Sequence, residues 1–366
     1  MRFYMPANVY VEKDCVQNHG EELASLGRKA CIMTGRRSAA ANGSLADVTG
    51  VLEAAGIPYV VFNEVEENPS VDTIAKAAQI GIRENTDFVI GVGGGSALDA
   101  AKAVAVMTAN PKETKDCLYS KKKLSAFPFA AVPTTCGTGS EVTPNAVLTR
   151  PEIMKKGSMS YSVFADLALV DGKYIASCSQ TILVNTAVDA LAHSIESYLH
   201  TKANDYNRMF SGYALKLWAK EIPFLLGEKE IDDEARELLM LTSTVAGMAI
   251  AQTGTSIPHV LSYDVTLSAG VPHGKACGLF LAAYMEEYAK NKPEDVQEIL
   301  DILGFNNVRA FGVLLQRLIG IQETSSEEME KMATSLAANT GKLATYPFEV
   351  SLEAISEIVR KSLVAV

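Results

Sequence analysis

Residues 87–106 read DFVIGVGGGSALDAAKAVAV: a short apolar run, three consecutive glycines, and then an alanine-rich stretch free of proline. A buried strand that turns through glycine into a helix brings bare backbone N–H groups and the positive end of a helix to one point, where an anion can be held. Gly93, Gly94, Gly95 and Ser96 are the groups expected there. Ser96 stands where a G-x-G-x-x-G pattern has its last glycine, and the run follows a late strand rather than the first. On these residues alone, phosphate binding and a turn that merely packs a helix closely on a strand both stay open.

Upstream, the same alternation recurs. KACIMT, LADVTGVLEAAG, IPYVVF and SVDTIAKAAQIGIREN read in turn as strand, helix, strand and helix. Short β-branched runs between amphipathic helices predict a parallel sheet covered on both faces. After DLALVDG the strand signal fades, and helical periodicity continues from QTILVNTAVDALAHSIESYL to the terminal SLEAISEIVRKSLVAV. The expected organisation is an α/β domain over residues 1–175 and a helical domain over 176–366. No linker marks the boundary.

A chain of 366 residues, 48% hydrophobic and 21% charged, can give each domain its own core. The formal charge of −10 argues against nucleic acid or an anionic membrane as a partner. Six scattered cysteines without a CxxC pair suggest a reducing compartment and speak against a thiolate metal site. With no signal-peptide pattern and no span-length apolar segment, a cytoplasmic protein is expected.

A second loop, FPFAAVPTTCGTGSEVT (127–143), ends a strand in proline and gathers Thr134, Thr135, Thr138 and Ser140 around Gly137 and Gly139. Two such loops at strand ends of one sheet suit a ligand with several phosphate and ribose oxygens, although a solvated polar loop would read the same way.

Five histidines are present. Asp189 and His193 lie at i and i+4, so on a helix both side chains project from one face. His259 and His273 each follow a proline in a stretch that proline and glycine prevent from being one helix. One carboxylate and three imidazoles suit Fe(II) or Zn(II), with a position left open for substrate; a surface Asp/His pair is the alternative. His19 and His200 read as surface residues, and Cys136 and Cys277 as small buried apolar groups.

Together GGGSALDAAK (93–102), PTTCGTGSEVT (133–143), DALAH (189–193), PH (258–259) and PHGKA (272–276) resemble the iron-containing, or group III, alcohol dehydrogenase family, in order and spacing across nearly the whole chain. That resemblance implies a Rossmann-like α/β domain followed by an all-α domain, the architecture shared with dehydroquinate synthase, and a divalent ion in the cleft between them. It implies Asp189, His193, His259 and His273 as ligands, Gly95 and Ser96 at the pyrophosphate, and Thr134, Thr135, Thr138 and Thr143 along the dinucleotide. Lys156 matches a cofactor-contacting lysine, with Lys155 adjacent. Gly94, Ser140, Asn68 and Asp99 complete the expected cofactor set.

Two positions depart from the family pattern. Relatives that use NAD carry an aspartate for the adenosine ribose after the first strand, where this chain has Gly35 followed by Arg36, Arg37 and Ser38. A carboxylate repels a 2′-phosphate, while guanidinium and hydroxyl groups accept one, so NADP is expected over NAD. Tyr263 replaces a histidine proposed in relatives to shuttle a proton, and an ordinary phenol pKa of about 10 makes it a poor relay.

The expected activity is reversible hydride transfer between a small alcohol or aldehyde and NAD(P), in a homodimer or larger homo-oligomer. A glycerol or polyol dehydrogenase, a dehydroquinate synthase-like lyase and a non-catalytic nucleotide sensor are the alternatives. The lyase would need a more basic pocket than Lys275 alone supplies.

Overall fold

Side chains along the strands of the first half alternate between two cores. In the computed structural model, which describes residues 1–153 and 155–366, Cys31, Met33, Val89, Phe129 and Ala131 enter one apolar cluster. Their strand neighbours Ala30, Ile32, Phe88, Ile90, Ala130 and Val132 enter the other. A slip of one residue would exchange the two sets, so the period of two fixes the register.

These strands belong to a unit formed by Met5–Cys178. Its elements are β1 (Asn8–Val11), α1 (Cys15–Asn18), α2 (Gly20–Ala24), β2 (Ala30–Gly35), α3 (Ser38–Ala41), α4 (Ser44–Ala54), β3 (Tyr59–Val65), α5 (Val71–Arg83), β4 (Phe88–Gly93), α6 (Gly95–Ala109), β5 (Phe129–Pro133), β6 (Val147–Arg150), β7 (Lys155–Ser158) and β8 (Leu167–Val170). Six strands form a parallel sheet in the order β1-β8-β5-β4-β2-β3. Helices α5 and α6 supply Ile74, Ala77, Leu98 and Val104 to one face, and α4 supplies Val48 and Leu52 to the other. The chain runs from β2 to β3 on one side and returns to β4 on the other. The carboxyl ends of β2 and β4 therefore flank the crevice where such sheets receive ligands. The antiparallel ribbon β6–β7 is an addition that the sequence around Lys155–Ser158 does not announce.

Ser179–Val366 and Met1–Tyr4 form the second unit. Tyr4 is tied to it by a reciprocal pair: its N–H donates to Gln252 Oε1 at 3.0 Å, and Gln252 Nε2 donates to its carbonyl at 2.9 Å. The helices are α7 (Gln180–Tyr198), α8 (Asp205–Leu225), α9 (Asp233–Thr253), α10 (Ile257–Ala269), α11 (His273–Ala289), α12 (Pro293–Leu303), α13 (Val308–Ile319), α14 (Ser326–Ala337), α15 (Thr340–Leu343) and α16 (Leu352–Ser362). Ser179, Asn204, Asp232, Asn307, Ser325 and Ser351 accept backbone N–H bonds at helix starts, which is why the polar residue before each apolar repeat marks a boundary. A two-residue parallel pair, β9 (Glu323–Thr324) with β10 (Val364–Ala365), qualifies the all-α expectation. Among the described residues no helix is long and apolar enough to cross a membrane.

Helix α7 is buried along most of its length, from Leu183 and Val184 to Tyr198. Helix α11 approaches it closely: a Cβ on Gly274 would lie 1.9 Å from the carbonyl oxygen of Asn185, and one on Gly278 would lie 2.4 Å from Val188. Those two glycines, one turn apart, let the start of α11 reach the middle of α7.

Candidate metal centre and dinucleotide site

Helix α7 carries Asp189 and His193 on its inward face, with Asp189 3% and His193 5% exposed. Pro258 stands in the first turn of α10, and His259 follows it. Gly270, at φ 65°, ends α10 in a left-handed residue, and Pro272 caps α11 so that His273 opens it. The broken segment thus aims two imidazoles at α7. The Nε2 atoms of His193, His259 and His273 lie 3.8, 3.4 and 3.8 Å from a single atom, Oδ1 of Asp189. Donors about a metal with bonds of about 2.1 Å stand about 3.4 Å apart in a tetrahedron, so these separations are those of ligands around one ion.

Neither Asp189 Oδ1 nor His259 Nε2 has a hydrogen-bond partner, although both are buried. An orphaned pair of this kind is costly unless something else satisfies it. Burial pushes the Asp189 carboxyl up, yet His193, His273 and His259 outweigh it and hold the group well below the ordinary carboxylate range. Burial lowers His259, but Cys277, Glu196 and Asp189 raise it well above its ordinary value. The surroundings are therefore short of positive charge. A divalent ion fits this donor set.

Glu196, wholly buried on α7, is the residue that sequence reasoning missed. The Nδ1 of His259 lies 2.5 Å from its Oε1, and the Ser256 N–H donates to its Oε2 at 2.5 Å. A carboxylate accepting from Nδ1 leaves Nε2 with its lone pair toward the ion. The signal was present, since Asp189, His193 and Glu196 stand at i, i+4 and i+7 on one helix face.

Cys277 is buried, as expected of a small apolar group, and also lies beside these histidines. The ligand atoms of Asp189, His259, His273 and Cys277 all lie within 4.8 Å of one another, a set that does not include His193. His200 is not at the surface: it is 4% exposed, its Nδ1 accepts from the Lys202 N–H at 2.9 Å, and burial lowers its pKa to about 4. His19 is half-buried, stacked on Tyr10 between Glu12 and Glu22. Tyr263 stacks on His273 at 5.8 Å between centroids, and burial raises its phenol above the ordinary value.

In the first unit, α6 begins at Gly95 with no side-chain cap and no acidic residue in its first turn, which leaves its positive end for an anion. The loop after β5 lies against it. A Cβ on Gly95 would come within 2.7 Å of Thr138, and one on Gly94 within 3.1 Å of Thr135. Ser96, Thr135 and Thr138 stay partly exposed beside these glycines, whereas Thr134 and Thr143 are buried. Ser96 Oγ accepts from the Asn68 N–H at 3.1 Å, and Lys156 Nζ donates to Asn68 Oδ1 at 2.5 Å. Lys156, not the exposed Lys155, joins this group.

Asp99 and Ser140 are hydrogen-bonded to each other. Ser140 Oγ donates to Asp99 Oδ1 at 2.7 Å and accepts from the buried Lys102 at 2.7 Å, while Asp99 Oδ2 takes the Val147 N–H at 2.8 Å. They brace the two loops against each other. Gly35 ends β2, with Arg36, Arg37 and Ser38 exposed after it.

Comparison with known proteins agrees with this geometry. Residues 6–172 match the profile of iron-containing alcohol dehydrogenases, and residues 183–363 match the C-terminal profile of the Fe-containing alcohol dehydrogenase family. A solved iron-containing alcohol dehydrogenase of Thermotoga maritima is 36% identical over 99% of each chain, with a TM-score of 0.91. The NADPH-dependent butanol dehydrogenase of Clostridium saccharobutylicum is 29% identical over 90% of this chain and 84% of its own length. The bifunctional aldehyde-alcohol dehydrogenase of Escherichia coli is 29% identical over 79% of this chain, which spans about a third (34%) of that protein.

Proposed function

The chain belongs to the iron-containing alcohol dehydrogenase family, and from that premise we propose that it interconverts a small alcohol and its aldehyde with NADP(H). One observation supports the reading most strongly: three imidazole Nε2 atoms converge on Asp189 Oδ1 in a buried place where Asp189 and His259 have no other partner for these atoms.

Asp189, His193, His259 and His273 are the proposed holders of Fe(II) or Zn(II). When bound, the ion supplies a Lewis acid for the substrate oxygen, and the nicotinamide carries the hydride. Asp189 contributes the one formal charge among the four, while Glu196 fixes the orientation of His259. Tyr263 packs on His273 and steadies its ring, and its raised phenol pKa makes it unsuited to relay the proton. Gly94, Gly95 and Ser96 at the start of α6 hold the pyrophosphate through backbone N–H groups, with Thr135 and Thr138 alongside. Gly35, Arg36 and Ser38 receive the adenosine 2′-phosphate; the butanol dehydrogenase relative is named for NADPH, in keeping with this choice.

The test is a screen of alcohols and aldehydes with NADPH and NADH on protein stripped of metal and reloaded with Fe(II) or Zn(II) without oxygen. Turnover should depend on the ion, and His259→Ala should lose both turnover and metal while keeping its helical content. Full activity after exhaustive chelation would refute the metal-centre reading.

A further inference from the structure

We propose that Cys277 is itself a ligand in the metal centre, so that the helical unit offers five protein donors and binds Zn(II) or Co(II) through sulfur. This rests on the reading of the site as a metal centre and goes beyond the Asp/His set. Cys277 sits one turn after His273 on α11, the i, i+4 spacing by which α7 presents Asp189 and His193. The side chain is fully buried, and its Sγ lies 3.9 and 3.8 Å from Nδ1 and Nε2 of His273. These near-equal distances place Sγ beside the imidazole edge, so ligation together with Nε2 requires the thiol to turn about its Cα–Cβ bond toward the ion.

A second observation is independent of the cysteine. Asp189 Oδ1 and His259 Nε2, buried and otherwise unpartnered, belong to the same group of mutually close donors as Sγ. Three donors are common to either arrangement: Asp189, His259 and His273. His193 and Cys277 compete for the remaining vertex. An imidazole serves Fe(II) well, whereas a soft thiolate favours Zn(II), so the metal supplied decides which of the two ligates. On ligation the thiol releases its proton to solvent and sulfur donates an electron pair; nothing is oxidised or reduced.

Titration of the metal-free protein with Co(II), without oxygen, tests this directly. Visible ligand-field bands report that the ion is bound, and a near-ultraviolet thiolate-to-cobalt charge-transfer band reports sulfur. The wild type and His193→Ala should show both, while Cys277→Ser should keep the visible bands and lose the charge-transfer band. Competition with a chelator should show Zn(II) affinity falling about tenfold or more in Cys277→Ser, with Fe(II) affinity changing less than about threefold. Visible bands without the charge-transfer band in the wild type would overturn the role of Cys277 and leave the Asp/His centre standing. Absence of all bands would overturn the metal-centre reading as well. The wild-type spectrum decides even if a variant fails to fold.

Discussion

Glu196 shows how one buried carboxylate governs another residue's chemistry. It accepts from His259 Nδ1 and the Ser256 N–H together, so an amide in its place sets an N–H against one of those donors. Glu196→Gln should therefore weaken metal binding by about 10–100-fold without loss of helix content, measured by chelator competition and circular dichroism; unchanged affinity would remove its role. Gly35 is the corresponding proposed determinant for the cofactor. Its backbone is outside the left-handed region, and a Cβ there meets nothing closer than Val65 O at 3.6 Å, so an aspartate fits. Gly35→Asp should lower kcat/KM for NADP by about tenfold or more and raise it for NAD, through repulsion of the 2′-phosphate. An unaltered ratio in initial-rate assays would count against NADP selectivity. Glu221 is a third case, 1% exposed. Burial raises its pKa from 4.5 to about 8, only partly offset by Thr242. The raised folded-state value means stability is greatest below the unfolded pKa and falls as pH climbs to about 8, by about 5 kcal/mol at most. Glu221→Gln should flatten that decline in denaturant titrations at several pH values.

At the scale of elements, the pairing of α7 with α11 brings the proposed metal ligands together, and it depends on side chains that are missing. The Asp189/His193 spacing and the Pro-His dipeptides were legible, because helix periodicity and proline placement are local. The closeness of α11 to α7 was not, since Gly274 looks like any helix-start glycine until the Asn185 carbonyl is seen 1.9 Å from where its Cβ would be. The i+7 position of Glu196 and the i+4 position of Cys277 follow the same periodicity as the histidines, yet neither residue type stands out in a buried helix without a partner in view. Gly274→Ala should push α11 off α7 and separate His273 from Asp189. The expected result is a metal affinity lower by about tenfold or more and a lower melting temperature, since overpacking costs about 1–3 kcal/mol. Gly341→Ala, where the nearest atom to a Cβ is 3.9 Å away, provides the control substitution and should alter neither.

Over the whole chain, the parallel sheet was legible because short apolar runs between amphipathic helices encode it locally, and the helical half because its apolar residues recur at helical spacing. The β6–β7 ribbon was not, because Lys155–Ser158 has no alternation and is set by its pairing with Val147–Arg150. Within the glycine loops, the bracing could not be read in advance: Asp99 and Ser140, expected at the cofactor, are also hydrogen-bonded to each other and to Lys102 and Val147. On the proposed assignment each unit carries one ligand site of its own, so each ligand should leave a separate footprint. Binding stabilises the folded form by about 2.7 kcal/mol at a hundredfold excess over Kd, and local opening slows where the ligand touches. In hydrogen exchange, Zn(II) should protect amides in α7 and the first turns of α10 and α11, and NADP should protect Gly94–Ser96 and the loop after β5. Protection by NADP confined to residues 179–366, or by Zn(II) confined to residues 5–178, would reverse the assignment of the two sites.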